Sequence, residues 1–151
     1  MNLISRTSEY ALRAVVWLIQ EPGRSQTTQQ IARGTKTPPD YASKVLQALS
    51  RAGMIRGQRG LGGGFLLVAN PDGITVLDVI NAVDPLECIH TCPLRLKAHG
   101  TRLCPLHGGL NEVARQMEAT FRGTRILDLL NGKSTSVPLG IALKRDRKRT
   151  R

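Results

Sequence analysis

The sequence has few aromatic residues: phenylalanine, tryptophan and tyrosine together make up 3% of its 151 residues. Hydrophobic residues nevertheless account for 40% of the chain, which is enough for a core and argues against disorder throughout. The core must therefore be built from leucine, isoleucine, valine and alanine. A chain of this length has room for one ordinary domain with one projecting element.

Long apolar runs are also missing. No stretch approaches the ~20 apolar residues that a membrane-spanning helix requires, and the chain does not open on a basic start followed by an apolar run. We therefore expect a cytoplasmic protein with no membrane partner. Thiols stay reduced in that compartment, and the odd count of three cysteines also disfavours a disulfide framework.

Acidic residues are scarce: 11 stand against 22 lysines and arginines, which gives a net charge of +11. The excess is concentrated in two places. Residues 24–59 contain seven basic residues against Asp40 alone, and residues 144–151 contain six against one acid. Clustered positive charge is typical of a polyanion partner, with nucleic acid ahead of an acidic membrane. We interpret the basic tail as a solvated end that adds nonspecific attraction to phosphates.

Two helical segments follow one another after a first helix over residues 8–20, for which we predict a cap at Ser8. The first of the two, about residues 28–33, is predicted to end at Gly34. The second opens at "TPPDY", where proline is tolerated in the first turn, and ends at Gly53. A short helix, a tight turn and a longer helix with polar and basic residues near its start indicate a helix-turn-helix.

The stretch "RGLGGGF", residues 59–65, lies between short apolar runs, so residues 54–68 predict a β-hairpin with a glycine-rich tip. Phe65 stands where a dinucleotide fold needs glycine, and the GK[ST] ending of a P-loop is missing. A hairpin directly after a helix-turn-helix is a wing. Its glycines permit positive φ and close approach to DNA phosphates, and Arg59 is predicted to enter a narrow minor groove. A flexible turn without a ligand is the alternative.

A later segment carries an apolar seam. Leu110, Val113, Met117 and Phe121 are spaced 3, 4 and 4, as on one face of a helix that follows the main domain. A second short helix is predicted over residues 124–130. An apolar face of this kind is stabilised when another surface shields it from water, and a helix of a partner subunit is the natural candidate.

All cysteines and all histidines fall within twenty residues: Cys88, His90, Cys92, His99, Cys104 and His107. Thiolates and imidazoles are ligands of zinc and of iron–sulfur clusters. The spacing is not that of a standard zinc finger, so a cluster, a structural zinc site and buried thiols without metal all stay open. A cysteine nucleophile has a histidine nearby but no evident oxyanion hole or orienting group, so we expect no enzyme.

The motifs "EYALRA", "PPDYASKVLQALSRAGMI", "RGLGGGF" and "ITVLDVINAVD" make the sequence similar to the winged-helix regulators typified by IscR, NsrR and RirA. The resemblance runs from Met1 to about Leu130. It implies a mainly α fold with a small β-hairpin, namely a winged helix-turn-helix plus a long C-terminal dimerisation helix. The implied parts are a DNA-binding domain (1–84), a Cys/His sensor loop (85–104), dimerisation helices (105–131) and a basic flexible tail (132–151).

The resemblance also implies a function. Such regulators are homodimers that bind double-stranded DNA at a palindromic operator, here most simply as a repressor, and many sense iron–sulfur, nitric oxide or redox status. A cluster-ligand role carries over to Cys88, Cys92 and Cys104, with His107, or Glu9 of the partner subunit, as fourth ligand. The gaps of three and eleven residues between the cysteines depart from the more even spacing common in the family, so zinc or no metal is the alternative.

The predicted DNA-binding residues are Thr28, Pro38, Asp40, Tyr41, Ser43, Lys44, Arg59, Gly62, Gly63 and Gly64. The residues around Lys44 are expected to face the major groove, while Arg59 and the glycines engage the minor groove and the backbone. The competing hypothesis is a small redox or metal-handling protein with an incidental basic surface. Salt-dependent duplex binding separates the two, because phosphate neutralisation gives a steep dependence of affinity on salt.

Overall fold

The computed structural model describes residues 3–93, 102–132 and 136–140. The elements in chain order are α1 (Arg6–Ile19), α2 (Thr28–Thr35), α3 (Pro39–Arg51), β1 (Ile55–Gln58), β2 (Gly64–Leu67), α4 (Val76–Val83), α5 (Pro105–Gly123) and α6 (Ile126–Asn131). The predicted class, mainly α with a small β-hairpin, is confirmed. Within the described ranges, no helix combines the length and apolarity needed to cross a membrane. The basic tail over residues 144–151 and His99 lie outside the described residues.

The core is aliphatic, as the composition predicts. Helix α1 packs against α2, α3 and α4. Of the described side chains, the largest fully buried ones are leucines, isoleucines and valines, among them Leu18, Ile31, Leu46, Leu49 and Ile80. Burying one such side chain stabilises the fold by about 1.5–3 kcal/mol, so this cluster fixes the helices that carry the basic surface.

Helix α1 begins at Arg6, two residues before the predicted start at residue 8, and its cap lies three residues before the predicted one. Its cap is Ser5, whose hydroxyl accepts a hydrogen bond from the Ser8 N–H at 3.1 Å. The predicted cap at Ser8 is wrong, because Ser8 lies in the first turn with only 1% of its surface exposed. Either serine has the right chemistry for a cap, and burial against the core decides between them.

Helix α2 runs on to Thr35, so the predicted end at Gly34 is wrong. The helix closes at Lys36, which takes the left-handed conformation with φ 51°. Gly34 is required for another reason: a Cβ there would lie 2.6 Å from Cζ3 of Trp17. The indole of Trp17 therefore packs directly against the backbone of α2, which only glycine permits.

The predicted hairpin is confirmed. Strands β1 and β2 pair antiparallel from Ile55 opposite Leu67 to Gln58 opposite Gly64. A third chain segment joins them at one residue: the N–H of Gln26 donates to the carbonyl of Phe65 at 2.9 Å, and the N–H of Phe65 donates back at 2.7 Å. The hairpin is thereby attached to the segment that leads into α2.

Candidate nucleic-acid interface

The turn between α2 and α3 is held by a compact set of hydrogen bonds. The Thr35 hydroxyl donates to the carbonyl of Ile31 at 2.8 Å and lies 2.8 Å from the Thr37 hydroxyl. The Thr37 N–H donates to the carbonyl of Ala32 at 2.9 Å. Both threonines are buried, so these bonds are shielded from water and fix the angle at which α3 leaves the turn.

Helix α3 presents one polar face to solvent. Ala42, Val45, Leu46 and Leu49 are buried on the opposite face. Asp40, Lys44, Gln47 and Arg51, spaced 4, 3 and 4, are all exposed. The structure thus brings predicted Asp40 and Lys44 together, whereas Ser43 is half-buried beside them. Gln47 and Arg51 are not among the predicted DNA-binding residues, although their helical spacing from Lys44 places them on the same face.

Tyr41 rests against α1. Its side chain is 46% exposed, and its ring meets that of Tyr10 edge-on with centroids 5.5 Å apart. The guanidinium of Arg13 lies 5.6 Å from the centroid of the Tyr10 ring, donates to the carbonyl of Thr35 at 3.4 Å and forms an ion pair with Glu9. The polar side of α1 therefore supports both the turn and Tyr41 at the start of α3.

The wing tip is a tight turn with its own glycine requirements. Gly60 and Gly62 have φ of 97° and 78°, and the N–H of Gly63 donates to the carbonyl of Gly60 at 2.9 Å. A Cβ at Gly63 would lie 2.6 Å from the carbonyl oxygen of Gln58. The fold of the turn itself therefore demands glycine at position 63, whatever approaches the tip. Arg59 beside it is exposed.

Thr28 and Pro38 lie at the starts of the two helices of the motif. Thr28 is the first residue of α2 and half-buried, while Thr27 caps the helix through a reciprocal capping box with Gln30. Pro38 is exposed and immediately precedes α3. The beginnings of helices present free backbone N–H groups, which suit contacts to phosphate oxygens.

Unpaired positive charge covers this surface. Arg33, Lys36, Lys44, Arg51, Arg56 and Arg59 are exposed, and none of them forms a salt bridge with a carboxylate in the described ranges. Four other arginines, by contrast, pair with a glutamate three or four residues earlier: Arg13, Arg24, Arg115 and Arg122. The helix-turn-helix and the wing thus carry a positive field available to a polyanion.

Two of the predicted metal ligands lie together. Cys104 caps α5, and its Sγ lies 3.2 Å from Nδ1 of His107 in the first turn. Cys92 is 4% exposed and Cys88 is half-buried. Over residues 3–93, 102–132 and 136–140, no three histidine, cysteine or carboxylate side chains converge. A thiolate and an imidazole one turn apart suit a soft metal or an iron–sulfur cluster, so the chemistry of the donor set fits.

Glu9 lies at the rim of an apolar pocket of 480 Å³. The pocket is bounded by α1, α5 and α6, and its apolar lining includes Leu12, Val16, Phe121 and Leu129. The ligand role predicted for Glu9 concerns a second copy of the chain, so it stays a prediction. In the single chain the Glu9 carboxylate is occupied by Arg13.

The apolar seam of α5 divides into two halves. Leu110 and Val113 are 53% and 55% exposed, and Leu106, one turn before Leu110, is 67% exposed. Phe121 is partly buried against the core of its own chain. Among the described residues, the first part of the seam together with Leu106 stays more than half exposed; Leu106, Leu110 and Val113 are called the α5 stripe below.

Comparison with known proteins agrees with this architecture. Residues 4–132 match the Rrf2 family, described as iron-dependent transcriptional regulators. The chain is 31% identical over 132 residues to a protein of Aquifex aeolicus (strain VF5) that is named as an HTH-type transcriptional regulator. That match covers 85% of this chain and 92% of the relative.

Solved structures share the fold. CymR (YrzC), the global cysteine regulator of B. subtilis, superposes with a TM-score of 0.66 at 22% identity, over 85% of this chain and 96% of that one. The IscR of T. potens superposes with a TM-score of 0.67 at 20% identity, over 84% and 85% of the two chains. The family resemblance and the winged-helix fold predicted from the sequence are both confirmed. The chain belongs to the Rrf2 family of transcriptional regulators.

Proposed function

We propose that this protein is a repressor that acts in the cytoplasm, as a homodimer, on a palindromic double-stranded DNA operator. The observation that carries the proposal is the set of six exposed cations on the helix-turn-helix and the wing, none of which pairs with a carboxylate of the described residues. A surface with this charge binds phosphates and releases their counterions, which accounts for a large share of protein–DNA affinity. The family supports the DNA-binding part of the proposal.

The two parts of the surface have different roles in the proposal. The exposed face of α3, with Lys44, Gln47 and Arg51, enters the major groove, where side chains can distinguish all four base pairs. Arg59 on the wing enters the minor groove, where a narrow groove concentrates negative potential. Tyr41 acts from the start of α3, held by Tyr10.

The proposed homodimer is supported by two apolar surfaces that the described residues leave open: the α5 stripe and the pocket beside Glu9. We infer that the α5 stripe of one subunit packs toward the pocket of the other. Leu106 lies between Cys104 and His107 in the sequence, so this packing would bring that pair toward Glu9 of the partner subunit. Two-fold pairing also allows two recognition helices to meet half-sites about 34 Å apart.

The Arg59→Ala variant tests the wing contact. Removing a groove-bound arginine should weaken operator binding by about 1–3 kcal/mol while leaving the fold intact, because Arg59 is exposed and has no carboxylate partner among the described residues. Fluorescence anisotropy with an operator duplex, repeated at several salt concentrations, measures the effect. The control is Arg115→Ala, which removes an exposed base from α5. Equal affinity of both variants would contradict the wing contact.

We propose further that the regulator holds an iron–sulfur cluster through Cys88, Cys92 and Cys104, with His107 or Glu9 of the partner subunit as fourth ligand. The observation in support is the Cys104–His107 pair at the start of α5. When bound, the cluster supplies a group sensitive to redox state and nitric oxide. The cysteines tie the segment after α4 to the helix that carries the α5 stripe. Cluster occupancy then shifts operator affinity only if the arrangement of the subunits with the cluster and the arrangement without it differ in affinity for DNA.

The Cys104→Ala variant tests the sensor. After anaerobic purification it should lose the visible absorption of the cluster and change operator affinity at least tenfold, or about 1.4 kcal/mol. Nonspecific binding should stay nearly constant, because the basic residues are untouched. The matched control is His90→Ala, an exposed histidine of the same segment that is not among the proposed ligands. A Cys104→Ala protein that retains iron and sulfide would refute the ligand role.

Zinc is the alternative cofactor, because the Cys104–His107 pair is also a nitrogen and sulfur donor set of the kind that zinc prefers. The two cofactors differ in colour: the iron–sulfur protein is brown, and the zinc protein is colourless. Metal analysis of the anaerobically purified protein decides between them.

A further inference from the structure

The apex of the wing carries an apolar side chain, Leu61, that the described residues leave fully exposed. Leu61 has a relative exposure of 111%, whereas the other exposed large apolar side chains in the described ranges have 46–67%. It stands between Gly60 and Gly62, in the turn that joins β1 to β2. Leu61 is not part of the hydrophobic core that the described residues form. A partner surface is where its apolar area can be buried.

The backbone holds this side chain outward. The turn is closed by the hydrogen bond from the Gly63 N–H to the Gly60 carbonyl, and the positive φ of Gly60 and Gly62 sets its shape. The base of β2 is fixed in turn, since the N–H and C=O of Phe65 both bond to Gln26. The tip is therefore a narrow projection fixed by backbone hydrogen bonds, with a glycine on each side of Leu61.

The surroundings of Leu61 are positively charged. Arg56 and Arg59 on the same hairpin are exposed and have no carboxylate partner among the described residues. Between Asp40 and Asp72 the sequence contains no acidic residue. An apolar apex within a basic hairpin suits a DNA groove, because phosphates line its rims and apolar base faces lie between the stacked base pairs at its floor.

We propose that Leu61 enters the minor groove of the operator and inserts against a base step, which unstacks the step and bends the duplex. The inference rests on the proposed function, in which the wing contacts the minor groove. That groove is about 6 Å wide and admits a tip formed by one side chain between glycines. Apolar wedges of this kind act most readily at flexible pyrimidine–purine steps. Leu61 thereby reads the deformability of the operator, whereas Arg59 reads its electrostatic potential.

The test measures DNA bending and affinity together. Operator duplexes labelled with a donor and an acceptor dye report the bend, and 2-aminopurine at the step nearest the wing reports unstacking. Leu61→Ala should weaken operator binding about tenfold and reduce the bend by at least about 20°. The dependence on salt and the melting temperature should not change, because neither a charge nor an internal contact is lost. Leu61→Met, which keeps an apolar side chain of similar length, should retain most of the bend.

A third variant separates insertion from simple attraction. Leu61→Lys adds a charge at the apex, so its affinity should become more dependent on salt, by about one unit of the slope, while the bend is lost. If instead Leu61→Lys keeps the bend, the wedge is refuted.

The outcomes also distinguish failure of the wedge from failure of the wing contact. Weak binding by Arg59→Ala, with wild-type affinity and bend for Leu61→Ala, overturns the wedge and leaves the wing contact standing. Wild-type binding by both variants overturns the wing contact itself. If Leu61→Ala leaves DNA binding unchanged and alters only self-association measured by sedimentation, the apex packs against protein and the proposal is wrong.

Discussion

The Gly64→Ala variant is expected to melt about 6–12 °C below the wild-type protein, at roughly 2–4 °C per kcal/mol for a chain of this size. Gly64 has φ 150°, and a Cβ there would lie 2.8 Å from the backbone nitrogen of Thr27 and closer still to the carbonyl of Gln26. The hairpin must then move away from Gln26. The two backbone hydrogen bonds with Phe65 are lost at about 1 kcal/mol each, and residual strain adds about 1 kcal/mol.

The fluorescence of Trp17 reports locally on the same displacement of the hairpin from Gln26. This residue is the only tryptophan of the chain, and its indole N–H donates to the side-chain oxygen of Gln26 at 2.6 Å. Displacement of Gln26 should therefore shift its fluorescence. Gly57→Ala is the matched control, because the added Cβ would meet the Phe65 ring at an ordinary 3.5 Å. Equal melting temperatures and equal fluorescence for the two variants would show that the hairpin is not seated on Gln26.

Placing two charges on the α5 stripe should produce monomers. The double variant Leu110→Glu and Val113→Glu changes side chains that are 53% and 55% exposed in the single chain, so its fold should be preserved. Because each side chain is already about half buried, covering the rest stabilises the proposed dimer by about half of the roughly 1.5–3 kcal/mol that full burial gives. Two glutamates at these positions replace that gain by the cost of desolvating their charges. Sedimentation should show a monomer, and operator affinity should fall at least about 100-fold, or 2.8 kcal/mol. Binding of a single half-site should change little.

The control for this experiment carries the same charge change elsewhere on α5. Gln116→Glu together with Ala119→Glu alters exposed positions off the stripe and should leave the protein dimeric. Phe121 is unsuitable as a target, because it packs against the core of its own chain and its replacement would perturb the fold. A double α5-stripe variant that remains a dimer would refute this interface.

Local patterns in the sequence predicted much of the fold. The 3.6-residue period of Val45, Leu46 and Leu49 identified α3, and the apolar runs on either side of the glycines identified the hairpin. Both signals lie within one element or between neighbours in the chain. Periodicity reports which face of an element is buried, which is all that these predictions required.

The helix end predicted at Gly34 was wrong because the role of that glycine depends on a contact between residues far apart in the sequence. Gly34 has the chemistry of a helix end, but its actual role is to admit the Trp17 ring, seventeen positions earlier. Gly63 was predicted to contact DNA, and the carbonyl of Gln58 by itself already excludes a side chain at that position. For the metal site, the sequence identified Cys104 and His107 as neighbours. Cys88 and Cys92 lie in a separate segment before α5, and no local pattern encodes their distance from that pair.

The attachment of Phe65 to Gln26 also constrains the order of folding. These residues are separated by about 40 positions, so their pairing must close a long loop. The entropic cost of closing a loop grows only slowly with its length, but the chain loses this entropy before the new contacts stabilise it. Helices α2 and α3 lie within that loop, α1 precedes it, and each of these helices forms by local contacts. We therefore expect the helical core to form first and the wing to dock last, so destabilising the wing should accelerate unfolding far more than it slows refolding.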